Sequence, residues 1–251
     1  MMKKMLEVKD LLVFFENAIA VNDFSLDVLK GEVVGVFGSN GAGKSTLANT
    51  ISGLTLDLKT KEARKRGVRV TILGEIWFKG ENITDKKAQK RVSAGLVLAR
   101  ERHPIFPDSD VIENLKMGGY LRKSAETKAS IDFVTTLFPA LRSHRKRKAG
   151  FLSGGEQQML SIAIALVANA QLLLLDEPFL GLSPMLQDHL VDSLLKIRDK
   201  GITILVTEQF ARPLLPYIDR GYIIENGSLV MTGSGHELME NQEVKAAYFG
   251  I

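Results

Sequence analysis

Gly38-Ser39-Asn40-Gly41-Ala42-Gly43-Lys44-Ser45 follows directly on the almost wholly apolar run Val33-Val34-Gly35-Val36-Phe37 and opens a segment of helical character reaching about Ile51. An apolar run this short suits a strand buried on both faces. Strand, glycine loop and helix in that order, with the spacing G-x-x-x-x-G-K-S, identify a phosphate-binding loop. Gly38, Gly41 and Gly43 let the main chain curl so that successive N–H groups point inward at phosphate oxygens. The positive end of the following helix adds to that field. Lys44 supplies a compact charge to the outer phosphates, and the Ser45 hydroxyl can ligate Mg²⁺.

Working outward, Leu172-Leu173-Leu174-Leu175 is a second buried strand, and it ends in Asp176-Glu177. Next to a triphosphate loop, Asp176 is placed to hold Mg²⁺ through water and Glu177 to polarise the attacking water. The blander reading, a strand ending in a solvated acidic turn, loses weight once the loop is present elsewhere in the chain. Leu152-Ser153-Gly154-Gly155-Glu156-Gln157-Gln158 precedes a helix, so Ser153 makes an N-cap beside exposed amides. One loop already surrounds one triphosphate. A second anion-binding helix start is best used on the γ-phosphate held by another copy of the domain; the alternative is an ordinary cap with a glycine pair.

The remaining segments alternate. Leu6–Lys9, Leu11–Phe15 and Ala20–Val28 read as strands, as do Val68–Phe78, with a bend at Gly74, and Leu96–Ala99. Asp85–Ser93 reads as a helix. From about Arg100 to Phe151 the pattern turns helical and polar, with helices near Val111–Met117 and Ala125–Phe138. Helix Glu156–Val167, strand Leu172–Leu175, helix Pro184–Lys200 and strand Ile202–Val206 follow. Gly221–Glu225 and Ser228–Thr232 form a hairpin around Asn226-Gly227, and a short helical tail closes the chain. The expected architecture is α/β: a P-loop NTPase (RecA-like) core with a mostly parallel sheet, an antiparallel β subdomain and an inserted helical subdomain. The expected division is residues 1–99 and 159–232 for the core, 100–158 for the helical insertion and 233–251 for the tail.

The 251 residues suffice for one large domain. No run approaches the roughly eighteen apolar residues of a membrane span, and the start lacks the apolar core of a signal peptide. With no cysteine, the chain uses no disulfides. The net charge of +4 is modest and gathers in Lys59–Arg69 and around Arg142–Lys148, which read as solvated faces. Neither cluster interleaves the aromatics of a single-strand nucleic-acid platform. His103, His144, His189 and His236 show no metal-ligand spacing.

GSNGAGKS, LSGGEQQ, LLLLDEP and the distances between them resemble the ATP-binding subunit of an ABC transporter, from Leu6 to Gly250. Ile105-Phe106-Pro107, Glu113-Asn114-Leu115, LFPALR at 137–142, LSGGEQQML, DEPFLGLSP, TEQFAR and RGYIIENG are similar to the second ATPase subunit of the branched-chain amino acid importers. The resemblance implies ATP and Mg²⁺ as ligands, and two nucleotide domains closing face to face over two ATP molecules. It implies Gly38, Ser39, Asn40, Gly41, Ala42, Gly43, Lys44, Ser45 and Thr46 around the phosphates, with Ser153, Gly154 and Gly155 of the opposing domain completing the cage.

Carried over by position, Phe15 matches the aromatic that stacks on adenine, with a plain core phenylalanine as the alternative. Glu101 falls where most relatives have the glutamine that senses Mg²⁺ and the attacking water, although Arg100, Arg102 and His103 depart from the subgroup's usual flanks. Gln209 sits at the switch-histidine position; its amide can donate to the γ-phosphate but cannot become cationic. Ser183 stands where many relatives carry aspartate, and Lys59–Gly67 is longer than the subgroup's usual hairpin.

The implied partners are integral-membrane permease subunits, a second ATPase domain as homodimer or as heterodimer with a sister subunit, and indirectly a solute-binding protein. The implied place is cytoplasmic, peripheral on the inner face of the cell membrane, with no nucleic acid expected. Two other readings are a nucleotide switch that hydrolyses slowly, motivated by Glu101 and Gln209, and an ATPase acting on nucleic acid. The latter lacks the long coiled coil that such chains carry between the two glycine-rich motifs.

Overall fold

The computed structural model describes residues 3–65, 67–100, 105–209 and 213–244. Strands β1 (Lys4–Phe15) and β2 (Ala18–Leu29) form a long antiparallel pair. The sequence suggests two strands in the first of these, but the structure has one. The apparent break is a bulge: Asp10 adopts φ 48°, and the pairing shifts between Lys9 and Leu12. The facing strand β4 (Val70–Phe78) accommodates it at Gly74, with φ 94°, where a Cβ atom would lie 2.5 Å from the Asp10 carbonyl oxygen. Strand β5 (Glu81–Asn82) completes a sheet ordered β2-β1-β4-β5.

Between these strands come β3 (Val33–Phe37), helix α1 (Lys44–Ser52) and helix α2 (Leu54–Lys65). Helix α2 occupies the basic stretch that carries no apolar periodicity. Only Thr55 of it is buried, and its hydroxyl accepts from that of Thr50 at 2.9 Å. Asp57 in its first turn and Arg64 and Lys65 in its last turn complement the helix dipole. Helix α3 (Ala88–Ser93) begins three residues after the expected Asp85. It carries the buried Arg91, whose guanidinium donates to the carbonyls of Thr50, Ile51, Thr84 and Lys86. The last carbonyls of α1 are thereby capped by a side chain from α3, that of Thr50 also accepting the Gly53 N–H.

The chain continues through β6 (Leu96–Ala99), α4 (Val111–Gly118), α5 (Ser124–Leu137), the short α6 (Pro139–Ser143) and α7 (Gly154–Val167). It then forms β7 (Leu172–Asp176), α8 (Pro184–Asp199), β8 (Thr203–Glu208), the hairpin β9 (Arg220–Glu225) and β10 (Ser228–Ser234), and the short α9 (Gly235–Glu240) and α10 (Gln242–Val244). Among the described residues the second sheet is ordered β10-β9-β3-β8-β7-β6, parallel except for β10.

Both faces of this sheet are covered, which is why its strands read as unbroken apolar runs. Successive side chains alternate between two cores. Val33, Phe37, Leu173, Leu175, Ile204 and Val206 point toward the core shared with α4, α5, α7 and α8. Val34, Val36, Leu172, Leu174 and Leu205 join the core built with β1, β2 and β4. No helix among the described residues is long and apolar enough to cross a membrane.

Candidate functional site

Strands β3, β8 and β7 are adjacent and parallel, so their C-terminal ends emerge side by side, with β3 and β7 about 10 Å apart. In open α/β sheets that edge is where ligands bind. The glycine loop leaves β3, Asp176-Glu177 leave β7, and Glu208-Gln209 leave β8. Three segments far apart in sequence thereby meet.

The loop's shape depends on Gly43, at φ 106°, where a Cβ atom would lie 2.4 Å from the Ala20 carbonyl oxygen on β2. It is also held from outside. The Gly227 N–H of the β9–β10 turn donates to the Ala42 carbonyl at 2.9 Å, and the Gly227 carbonyl accepts from Asn22 N–H at 2.8 Å. Lys44 is only 3% exposed. Its ammonium donates to the carbonyls of Gly38 (2.8 Å) and Ser39 (3.0 Å) and lies 3.2 Å from Oε1 of Glu177. Glu177 sits at φ 48°, an uncommon value for a side-chain-bearing residue, and its N–H donates to the Thr207 carbonyl at 2.9 Å.

Asp176 is buried beneath this layer. Its Oδ1 accepts from the hydroxyls of Thr207 (2.6 Å) and Ser45 (3.2 Å). Above it opens a cavity of about 400 Å³, lined by Ala20, Asn40, Gly41, Gly43, Lys44, Ser45, Thr46, Glu177, Leu180 and Gln209. Among the described residues no three His, Cys, Asp or Glu side chains cluster to hold a metal. A divalent cation at this site would meet the Ser45 hydroxyl and, through water, Asp176, leaving its other positions to phosphate oxygens and water, as Mg²⁺ is ordinarily bound. The donor set fits that ion, and the main-chain cradle fits a triphosphate.

Ser153 and Gly154 are exposed at the start of α7 and contribute nothing to this cavity. Ser153 forms a reciprocal capping box with Glu156, whose carboxylate accepts from the Ser153 N–H (2.8 Å) and hydroxyl (2.9 Å). Burial works to raise the Glu156 pKa but is outweighed by those bonds and by the charges of His144 and Arg147, so it falls below its ordinary value. Gly155 is buried against Leu186. Phe15 ends β1, paired with Ala18 and Val70, and packs half-buried on the core beside β2 rather than lining the cavity. Glu101 and His103 lie outside the described residues.

Two groups at the site escaped the sequence reading. Thr207 orients Asp176, as above. Glu208 is 4% exposed, and its carboxylate accepts from the main-chain N–H of Phe179 at 2.8 Å and of Gln209 at 3.2 Å. Burial pushes its pKa from the ordinary 4.5 up to about 8; Glu177 adds to the rise, while the two N–H donors and Lys44 oppose it. The available signal was a carboxylate closing the otherwise apolar run Ile204–Val206, beside the residue already singled out at 209.

The family model for ABC transporters matches residues 21–180. The chain belongs to the ABC transporter family. It is 35% identical, over 98% of its length and 100% of the relative's, to the high-affinity branched-chain amino acid transport ATP-binding protein BraG of Pseudomonas aeruginosa. To the probable branched-chain amino acid transport ATP-binding protein LivF of Archaeoglobus fulgidus it is 36% identical, over 91% of this chain and 92% of that one. The crystal structure of an ABC transporter's ATP-binding cassette in its ADP conformation superposes with a TM-score of 0.82 at 26% identity, covering 99% of both chains. This ABC cassette is therefore an ATPase of the transport family, and its nucleotide fold is the one expected from the glycine loop.

Proposed function

We propose that this ABC-type ATPase powers the import of branched-chain or other amino acids, acting on permease subunits from the cytoplasmic face of the membrane. The observation that carries the ATPase site is the convergence of Lys44, Ser45, Asp176 and Glu177 at one sheet edge. The solute class rests on the likeness to BraG and LivF.

In this reading residues 38–46 bind the triphosphate through inward amides, and Lys44 exchanges its main-chain carbonyl partners for the β- and γ-phosphates. Ser45, and Asp176 through water, would hold Mg²⁺, whose chemistry when bound would be neutralisation of charge on the phosphate oxygens. Glu177 orients and deprotonates the attacking water, and Gln209 donates its amide to the γ-phosphate. Glu101 takes the sensing role at the metal and water, and Phe15 stacks on adenine.

Ser153 and the amides of Gly154 and Gly155 serve the neighbouring subunit's γ-phosphate, since they stand at an exposed helix start apart from their own chain's cavity. The working unit is then a homodimer, or a heterodimer with a sister ATPase. Residues 100–158 form the helical arm that presents this second half-site. A solute-binding protein is an indirect partner, and no nucleic acid takes part.

Deletion of the chain from its host tests the reading. Uptake of labelled leucine, isoleucine and valine should fall, and the wild-type chain but not Glu177→Gln should restore it. Unchanged uptake of all three, with Mg²⁺-dependent phosphate release intact in the purified protein, overturns the solute assignment and leaves the ATPase standing.

A further inference from the structure

We propose that Glu208 is a positioning residue for hydrolysis, locking the segment that carries Glu177 and the segment that carries Gln209 to each other and to the start of the phosphate loop. The inference rests on the roles given above to Glu177 and Gln209.

Residue 208 joins all three segments. One carboxylate oxygen accepts the N–H of Phe179, two residues beyond Glu177, and the other accepts the N–H of Gln209. Its own carbonyl accepts the Gly38 N–H at 3.3 Å, at the first residue of the loop. A buried carboxyl group whose two oxygens each accept a main-chain N–H ties the backbone at two points, and hydrogen bonds shielded from water in this way are stronger than exposed ones.

The nearest charges are the Glu177 carboxylate and the Lys44 ammonium, neither of which it bonds directly. A buried acid beside a second acid is a costly arrangement for packing alone, and a neutral side chain would cap one amide at lower cost. What the acid adds is simultaneous capture of two amides. It is needed here because Glu177 is held at a left-handed φ, a backbone conformation that persists only where its surroundings over-determine it.

The mechanism implies a specific split in kinetics. Displacing a positioned base by about an ångström costs up to roughly 10²-fold in rate without removing any contact to the nucleotide. Glu208→Gln is nearly the same size, but an NH₂ group that cannot accept replaces one of the two oxygens and opposes the N–H it faces. Glu208→Asp keeps both acceptor oxygens and shortens the reach.

The experiment compares wild type, Glu208→Gln, Glu208→Asp and Glu177→Gln in steady-state phosphate release, MgATP binding and thermal unfolding. We expect kcat in both Glu208 variants to drop between roughly 10- and 10²-fold, with the MgATP Kd and the Tm nearly unchanged. Wild-type kcat in both variants overturns the inference, as does a fall in kcat matched by an equal weakening of MgATP binding or by a large loss of Tm. Should Glu208→Gln not fold, Glu208→Asp decides by the same criteria. If Glu177→Gln itself turns over normally, the site assignment fails, and that outcome is distinct from normal turnover in the Glu208 variants alone.

Discussion

The ammonium of Lys44 lies 3.2 Å from Oε1 of Glu177, at a place where both side chains are largely shielded from water. The proposed phosphate-binding cation and the proposed general base therefore hold each other. A triphosphate entering the cavity takes up the cation and leaves the carboxylate facing the terminal phosphate. Removing the carboxylate's charge should leave binding intact and stop the chemistry.

Glu177→Gln is accordingly expected to lower turnover by roughly 10²–10⁴-fold, the usual contribution of a positioned base. Nucleotide affinity should stay within a few-fold of wild type. Steady-state phosphate release beside an equilibrium binding titration separates the two quantities, and near-normal turnover would remove Glu177 from its role.

Ser153 is exposed and stands apart from the cavity that Lys44 lines. Ser153→Arg should thus leave ATP binding by a single subunit unaltered and lower hydrolysis by roughly 10²-fold or more, as loss of an anion donor does. Equal losses of binding and hydrolysis would argue that the motif acts within its own chain.

Arg91 donates to four main-chain carbonyls from a buried position, and burial lowers its pKa from the ordinary guanidinium range to about 10. Arg91→Leu leaves those carbonyls without the charged donor and should cost more than about 3 kcal/mol, given roughly 1.5–3 kcal/mol for a single bond to a charged group. Urea unfolding measures this directly. Lys61→Glu on the exposed face of α2 is the contrasting case, expected within about 0.5 kcal/mol of wild type.

Glu208 makes stability depend on pH in a defined direction. Its pKa is about 8 in the folded chain against an ordinary 4.5. Between those values the folded chain keeps a proton that the unfolded chain has released. This contribution is complete below pH 4.5 and is lost as pH rises through 8. Wild type should therefore lose more stability than Glu208→Gln between about pH 5.5 and pH 8.5. Parallel losses in denaturant titrations would contradict it.

The sheet was readable in advance because both of its faces are covered, so β3 and β7 appear as unbroken apolar runs beside unmistakable loop residues. Where burial is one-sided or absent, the reading weakened. Helix α2 has only Thr55 buried, so no apolar period betrays it. The bulge at Asp10 looked like a chain break because a polar residue at left-handed φ interrupts the alternation of β1. Glu208 was missed for the opposite reason. A carboxylate at a strand end normally faces water, and only the packing of the β7 exit over the β8 exit buries it. Asp176 and Glu177 were singled out by motif context and Gln209 by family resemblance, neither of which depends on burial, and the structure brings all three to one sheet edge.

The grip of the β9–β10 turn on the phosphate loop runs through Gly227 N–H and the Ala42 carbonyl, atoms that every residue type except proline can supply. The identity of the side chains that β10 and the turn present to solvent is therefore free to drift, while Tyr222, Ile223 and Ile224 of β9 are held by the core. Its length is not: adding or deleting one residue in β9 or β10 would carry the turn past its partner. Over evolutionary time this hairpin should tolerate many substitutions and almost no insertions.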